Sequence, residues 1–477
     1  MSTLGQKPAT QHVSTEKQSI TGNGGTSYTL QQSVSQASDI EVFVNNTRQE
    51  PTVAYTANNT TLTMTGAVNA SDNFYVIFQG KAIQTAGLPV DAAITASTVT
   101  TSQTITSTGN ITTSGTVNTP SINGGQIGGR RNIIINGAMQ VAQRGTSETG
   151  KGADAGYFTV DRMYYFENGT TDVRFTQSQS TDVPTGEGFG KSLKFDCTTA
   201  DASLASDNQL TLKYRIEGQD IQQLKWGTSS AEKITLSFYI KSTKTGTFIV
   251  ELSRESRKIS QAYTVSSSDT WEKKTLTFDG DTGGSVVTND SSNRLEINYY
   301  MGVGTNYSSG TLDTAWTGGT NANRAVGQVN AFDNTSNNIL FTGIQLEVGS
   351  QATPFEHRSF GEELNLCHRY YQQFAYDTHG FNVANGGANS ASQSTHIYTY
   401  YGGEMRATPS VSTPSVSNGY RFLGPDQDNS HSTIPNIDNA GKASVQFGNN
   451  QNTITKGHPF RLLLAQSGAM IKFDAEL

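Results

Sequence analysis

The feature that most constrains this fold is residues 89–129, a stretch rich in Thr and Ser whose single charged residue is Asp91. Large aliphatic residues recur in it at steps of five or six positions: Ile94, Val99, Ile105, Ile111, Val117, Ile122 and Ile127. One aliphatic residue per step buries too little surface in a single chain to offset the ~1–2 kcal/mol per residue of backbone entropy. Three chains around one axis bury more, so the repeat predicts a thin trimeric β shaft with these residues at its core. The alternative is a flexible linker of mucin-like composition.

The rest of the chain is polar without being highly charged. Hydrophobic residues make up 34% and charged residues 15% of the 477 positions, while 19 Tyr and 21 Phe supply aromatic core material. Long charged side chains, which suit solvated helix faces, are scarce, whereas β-branched and aromatic residues are plentiful. Disordered chains are usually poor in aromatic residues. The composition therefore predicts an ordered, all-β protein, divided into several domains by its length.

Several functional classes are disfavoured by the sequence. The isoelectric point of about 5.6 and the lack of a basic stripe argue against nucleic-acid binding. The first 20 residues contain no apolar run, so we expect no secretory signal, and no segment is apolar enough for membrane insertion. Cys197 and Cys367 match no metal or redox spacing, and the seven histidines form no zinc motif. We expect free thiols, as in a reducing cytosol, and neither cofactor nor metal.

The segment before the shaft shows the pattern of a small β domain. Residues 1–19 are irregular and are assigned to a flexible N-terminal segment. In residues 20–88, short alternating runs are separated by Asn and Gly, and Asn45-Asn46 marks a turn. Such spacing is typical of antiparallel strands, so we expect a small N-terminal β-sandwich.

After the shaft, residues 130–358 contain longer alternating segments. Residues 234–240 place Ile, Leu, Phe and Ile at every second position, and residues 248–252 repeat the pattern after a Lys-Thr-Gly turn. Alternation means one buried and one open face per strand, as in antiparallel sandwiches. The segment length favours a jelly-roll-like β-sandwich of roughly 220 residues.

A connector and a final β domain complete the chain. In residues 359–374, Ser359 and Glu362 form a capping box, and Leu364, Cys367 and Tyr371 would share one face of a helix. Residues 375–477 return to short aromatic-rich strands and are predicted to form a C-terminal β-sandwich head. The complete prediction is an elongated homotrimer of all-β domains.

Several of these segments resemble bacteriophage tail fibres. The order TSYTLQQ, DIEVFVNNTRQEPTVAYT and TTLTMTGAVNASDNFYVIF resembles the virion-proximal domain of fibres from short-tailed phages. RRNIIINGAMQVAQRG and NNILFTGIQLEVGSQATPFEHRS resemble the carbohydrate-binding-like sandwich of the same family. The resemblance implies that residues 20–88 attach to the tail and that residues 375–477 form the distal receptor-binding head.

The sequence contains no convincing catalytic motif. Residues 186–192, GEGFGKS, lack the first Gly of a phosphate-binding loop and run into an alternating segment, which favours a turn that enters a strand. His357 and His368 are interpreted as structural residues. Paired carboxylates, the requirement for glycoside hydrolysis, cannot be recognised from sequence spacing. We therefore expect a non-enzymatic protein.

Sugar recognition requires aromatic faces beside amides and hydroxyls. The receptor-binding candidates are Tyr398, Tyr400, Tyr401, Asn382 and Asn385 in the head and Trp316 in the sandwich, with Asn389 and Trp226 as further possibilities.

These observations lead to a functional hypothesis. The chain is expected to be a structural virion protein of the phage tail, made in the bacterial cytoplasm, that attaches the virion to a host surface polysaccharide or lipopolysaccharide. Its partners would be two further copies of itself, a tail adaptor, nozzle or baseplate protein, and the host glycan. A tailspike-like fibre that degrades its glycan is the first alternative, and a secreted carbohydrate-binding protein is the second.

Overall fold

The computed structural model describes residues 15–79, 130–376, 381–388, 394–400, 403–425, 428–438, 440–450 and 455–477. The chain separates into two compact units, Met1–Thr113 and Ser114–Leu477. Residues 89–129 lie outside the described residues, and so do all seven predicted shaft-core positions: Ile94, Val99, Ile105, Ile111, Val117, Ile122 and Ile127. The trimeric shaft therefore stays a prediction.

Residues 15–79, the described part of the first unit, form six antiparallel strands in two sheets. The strands are β1 (Glu16–Ser19), β2 (Ser27–Val34), β3 (Ile40–Val44), β4 (Thr47–Arg48), β5 (Tyr55–Met64) and β6 (Phe74–Phe78). One sheet has the order β1-β6-β3-β4, and the other pairs β2 with β5.

Both sheets of this unit contribute to one core. Leu30, Val42, Leu62 and Val76 are buried in it, and residues at alternate positions of each strand point away. The predicted turn at Asn45-Asn46 is confirmed, because both residues have positive φ and join β3 to β4 as a two-residue hairpin loop.

The boundary of this domain lies earlier than the sequence suggested. The last residues of the segment assigned as flexible, Glu16–Ser19, form β1, which pairs with residues 75–78 of β6. Its residues are polar and mostly exposed, so the strand carries no apolar signal, and backbone pairing to the free edge of β6 explains its formation.

The second unit begins with a sandwich of two six-stranded antiparallel sheets. The first sheet has the order β16-β13-β18-β11-β10-β7, and the second has the order β15-β14-β17-β12-β9-β8. Their strands are β7 (Ser147–Lys151), β8 (Gly156–Tyr157), β9 (Tyr164–Asn168), β10 (Arg174–Ser180), β11 (Ser192–Thr199), β12 (Gln209–Glu217), β13 (Ile234–Ser242), β14 (Gly246–Arg254), β15 (Arg257–Val265), β16 (Glu272–Phe278), β17 (Asn293–Val303) and β18 (Asn338–Val348).

The inward faces of these two sheets form the largest hydrophobic core among the described residues. Leu236 and Phe238 of β13 face Ile297 and Tyr299 of β17, and all four side chains are buried. The alternation that predicted these strands therefore identified the residues that face the core. The expected open face of β13 was wrong, because Thr235, Ser237 and Tyr239 are buried as well. The all-β sandwich architecture expected from the sequence is confirmed.

A helix connects this sandwich to the C-terminal strands. Besides the four-residue helix α1 (Thr305–Ser308), the described part of the chain contains α2 (Phe360–His368). Ser359 caps α2 as predicted, because its hydroxyl accepts a hydrogen bond from the backbone N–H of Glu362 at 3.3 Å. The prediction that Tyr371 shares the helix face was wrong. The helix ends at His368, and Tyr371 begins β19, where pairing with β28 replaces helical hydrogen bonds.

The C-terminal strands form two further antiparallel sheets. A three-stranded sheet has the order β19-β28-β22, and a seven-stranded sheet has the order β24-β23-β27-β20-β21-β26-β25. The strands are β19 (Tyr371–Ala375), β20 (Phe381–Ala388), β21 (Ser394–Tyr400), β22 (Ser410–Ser412), β23 (Tyr420–Leu423), β24 (Asp428–His431), β25 (Asn436–Asp438), β26 (Ser444–Asn450), β27 (Pro459–Leu464) and β28 (Met470–Asp474). Residues from both sheets share one core, which includes Phe422, Phe447, Leu462 and Phe473.

The last residues of the chain lie between this head and the sandwich. Glu476 forms a salt bridge with Arg162, whose side chain is only 1% exposed. The Arg162 guanidinium also donates to the carbonyl of Arg215 at 2.6 Å and stacks on the Tyr370 ring at 3.5 Å. Buried charge pairing thus fixes the C-terminal residues to the sandwich.

Within the described residues, neither helix has the length and apolar character needed to cross a membrane.

Candidate functional site

A cleft of about 490 Å³ lies on the outer face of the first sheet of the sandwich. The loop before β11 and the segment after β18 form its walls, and β13, β16 and β18 form its floor. The lining residues are Glu187, Phe189, Ser237, Tyr239, Lys273, Gly343, Ala352, Thr353, Pro354, Phe355 and His357. We call this the aromatic cleft.

The floor of the aromatic cleft depends on a β-bulge at Gly343. The register between β13 and β18 shifts between Ser237 and Tyr239, and Gly343 has a φ of 61°, a conformation that favours glycine. A Cβ at this position would lie 2.6 Å from Cζ of Phe189 and 3.0 Å from Cδ2 of Tyr239. The absence of a side chain therefore lets these two rings lie against the sheet.

Four aromatic rings are in mutual contact along this cleft. The Phe189 ring lies 5.4 Å from that of Tyr239 and 5.0 Å from that of Phe355, and Phe355 lies 4.8 Å from the imidazole of His357. Phe189 and Tyr239 are buried, Phe355 is half-buried and His357 is exposed. The aromatic surface thus runs from the sheet to the solvent.

Polar groups border the aromatic rings. The Tyr239 hydroxyl donates to a carboxylate oxygen of Glu187 at 2.6 Å, and the Lys273 ammonium lies 5.7 Å from the centroid of the Tyr239 ring. Burial, followed by the hydrogen bond and charge of Glu187, raises the pKa of Tyr239, so its hydroxyl stays protonated. Glu187 and Lys273 are themselves exposed, which leaves them able to bond to a ligand.

This arrangement suits a sugar better than a purely apolar ligand. Aromatic faces contact the C–H side of a pyranose ring, while a carboxylate, an ammonium group and hydroxyls can bond to its hydroxyl groups. Mostly apolar walls with a few placed polar groups are common features of small-ligand sites.

The two receptor-binding candidates in the sandwich, Trp226 and Trp316, have structural roles. Trp226 is fully buried, and Trp316 packs edge-on against it with ring centroids 5.2 Å apart. The indole N–H of Trp316 donates to the backbone carbonyl of Asp279 at 2.7 Å. The half-buried ring of Trp316 is therefore held by its neighbours, and it does not line the aromatic cleft.

The head candidates are partly brought together. A bulge in β20 separates the pairing of Asn382 from that of Ala384, and both Asn382 and Asn385 are exposed and within hydrogen-bonding distance of each other, at 3.2 Å. Asn385 also lines a second cavity, of about 400 Å³, together with Phe460 and Arg461. On the adjacent strand β21, Tyr398 is directly opposite Asn385 in the register.

Of the remaining head candidates, Tyr400 lies two positions beyond Tyr398 on β21 and is paired with Ser444 of β26, past the last pair between β21 and β20. Tyr401 and Asn389 lie outside the described residues.

No cluster of three or more potential metal-ligating side chains occurs within the residues that the structure describes. Cys197 and Cys367 are both buried free thiols. His368 is partly buried, and this burial lowers its pKa. His357, interpreted from the sequence as a structural residue, instead lines the aromatic cleft.

Sequence reasoning missed the aromatic cleft because its residues come from four distant segments. The GEGFGKS segment was correctly interpreted as a turn that leads into a strand, but Glu187 and Phe189 of this turn form one wall. A sequence signal for the bulge did exist. The β18 residues that belong to the main core are Ile339, Phe341, Ile344 and Leu346, so the two-residue period slips by one at Gly343.

Comparison with known proteins gives similarity in structure only. No model of a known protein family matches the chain, and no curated protein matches it. Among solved structures, the enzymatically active domain of bacteriophage CBA120 tailspike protein 4 is 14% identical with a TM-score of 0.25. The match covers 46% of this chain and 21% of the tailspike chain, so it spans well under two thirds of that protein.

Two carbohydrate-binding modules are also similar. TmCBM61, solved in complex with β-1,4-galactotriose, is 9% identical over 46% of this chain and 99% of the module, with a TM-score of 0.23. A family 11 module from Clostridium thermocellum, in complex with a mixed-linked tetrasaccharide, is 10% identical over 44% of this chain and 99% of the module, with a TM-score of 0.22. The two oligosaccharides are ligands of those modules, and the enzymatic activity is that of the tailspike domain.

Proposed function

We propose that this chain is the subunit of a bacteriophage tail fibre that attaches the virion to a host surface polysaccharide or lipopolysaccharide without cleaving it. The observation that carries the glycan-binding part is the aromatic cleft, where rings in edge-to-face contact, from Tyr239 and Phe189 to His357, lie beside Glu187 and Lys273. The tail-fibre part rests on the sequence resemblance of residues 20–88 and 130–375.

The composition of the aromatic cleft favours binding over hydrolysis. Glycoside hydrolysis commonly uses two carboxyl groups, about 5–10 Å apart. The lining of the aromatic cleft supplies one carboxylate, Glu187, and that group already accepts a hydrogen bond from Tyr239. Contact with one sugar is weak, and several copies per virion would raise the effective affinity by multivalency.

The first test is a binding experiment with two matched variants. Phe355→Ala removes a half-buried ring from the aromatic cleft, and Asn385→Ala removes an exposed amide from the head. We expect Phe355→Ala to weaken binding to purified host polysaccharide about tenfold, equivalent to ~1.4 kcal/mol, because a stacking face is lost. Asn385→Ala should leave the Kd unchanged in titration calorimetry. The opposite pattern would assign recognition to the head.

The enzymatic alternative has its own measurement. Purified protein is incubated with the same polysaccharide, and new reducing ends are measured over time. Release above the level of heat-unfolded protein would exclude the non-enzymatic proposal and favour a glycan-degrading tailspike.

The location and tail partner of the protein are proposals as well. In a fibre, residues 20–88 would contact a tail adaptor, nozzle or baseplate protein, and the protein would be found in purified virions. Detection in culture medium and absence from virions would instead favour a secreted carbohydrate-binding protein.

A further inference from the structure

Helix α2 exposes an apolar side chain where a polar one is expected. Phe360, its first residue, is 56% exposed, and Leu364, one turn later on the same side, is half-buried. The other side of α2 is buried against the sandwich, and Glu363 and Cys367 lie on it. The solvent-facing side of a surface helix is normally polar, so this side of α2 is suited to contact with another protein surface.

The first turn of α2 is held firmly, so Phe360 is not exposed by fraying. Ser359 caps the helix, and Arg358 pairs with Glu363 at 3.3 Å while donating to the carbonyl of Ile134 at 2.9 Å. Both Arg358 and Glu363 are less than a tenth exposed in their side chains. Phe360 is therefore presented on a fixed part of the structure.

The same turn contacts the first described residues of this unit, which begin at Arg130. Arg130 forms a salt bridge with Glu362, and the backbone N–H groups of Arg131 and Asn132 donate to Glu356 at 2.8 and 2.6 Å. These contacts hold the first described residues of the unit against the start of α2. A segment that joins three chains before Arg130 would bring three copies of this turn together.

We propose that the side of α2 carrying Phe360 and Leu364 is an interface between copies of this chain, in which three Phe360 side chains meet near a threefold axis. A closed ring of three subunits lets the same residue of each subunit approach its equivalents. Contact between the rings would remove from water the apolar surface that the single chain leaves exposed. The interface is separate from the aromatic cleft, so it does not depend on the proposed glycan binding.

Disulfide trapping in the full chain tests this interface. Phe360→Cys is compared with Val286→Cys, because Val286 is also an exposed apolar residue, at 62%, and lies in a loop of the same unit. Both native cysteines are buried, so they give little background. A disulfide needs Cα atoms within about 7 Å, which random surface positions in an oligomer do not provide.

After mild oxidation at micromolar concentration, we expect Phe360→Cys to give covalent dimers on a non-reducing gel, at least tenfold more than Val286→Cys. Three cysteines around one axis can form one disulfide and leave one free thiol, so dimers with remaining monomer, and no longer chains, are expected. A dimer yield equal to that of Val286→Cys would overturn the interface, as would sedimentation of the unmodified chain as a monomer. Neither result would affect the glycan-binding test.

Discussion

Replacing Glu476 by alanine is expected to destabilise the sandwich by about 3–5 kcal/mol, because it leaves the buried guanidinium of Arg162 without its counter-charge. Arg162 is 1% exposed and would keep its hydrogen bond to the Arg215 carbonyl and its contacts with the rings of Tyr214 and Tyr370, which carry no counter-charge. Water cannot easily replace the lost carboxylate, since the head covers the site. A buried charge that loses its partner costs far more than the same change at the surface.

Urea unfolding followed by tryptophan fluorescence measures this effect, since all three tryptophans lie between residues 226 and 316, within the sandwich. The matched control is Glu232→Ala, which breaks an ion pair with Lys225 whose side chains are 54% and 41% exposed. We expect the control to cost less than about 1 kcal/mol.

A double variant distinguishes the cost of leaving the Arg162 charge unpaired from the cost of losing the Glu476 side chain. Combining Arg162→Met with Glu476→Ala removes both charges of this pair. Arg144, which also pairs with Glu476, keeps Asp161 and Asp474, so the double variant should recover much of the stability. If Glu476→Ala behaves like Glu232→Ala, the C-terminal residues do not hold the sandwich in the way described.

The strand pattern could be predicted from sequence where one face of a sheet is buried. In residues 234–240 the apolar side chains alternate, and the structure buries Ile234, Leu236, Phe238 and Ile240 in the core. Two-residue periodicity directly reflects the geometry of a strand, so it survives without knowledge of neighbours. Polar edge strands such as Glu16–Ser19 were missed, because their backbone pairing leaves no apolar pattern.

The candidate site could not be predicted in the same way. In the aromatic cleft, more than fifty residues separate Glu187 from Tyr239, and more than a hundred separate Tyr239 from His357. The same holds for the buried ion pair, since Arg162 and Glu476 are 314 positions apart. Their proximity is set by the order of strands in the sheets, which the alternation does not determine. The aromatic residues named from the sequence were chosen by type alone, and Trp226 shows the limit of that criterion because it is fully buried.

Gly343→Ala is expected to have the second large effect, on both stability and binding. The left-handed backbone at a φ of 61° costs a residue with a Cβ about 1–2 kcal/mol, and overpacking a tight site costs about 1–3 kcal/mol more. The new methyl group would lie 2.6 Å from the Phe189 ring, so this ring must move outward into the aromatic cleft. We expect a loss of about 2–5 kcal/mol in unfolding free energy and at least tenfold weaker polysaccharide binding.

Gly318→Ala is the matched control, because it adds the same methyl group to an exposed glycine of the same sandwich. A Cβ there has no atom within 4 Å, and its φ is not positive, so stability and Kd should stay unchanged. The two measurements together distinguish two roles for the bulge. Lost stability with unchanged binding would mean that Phe189 supports the sheet without shaping the ligand site, whereas loss of both would place Gly343 as the residue that allows the aromatic cleft to form.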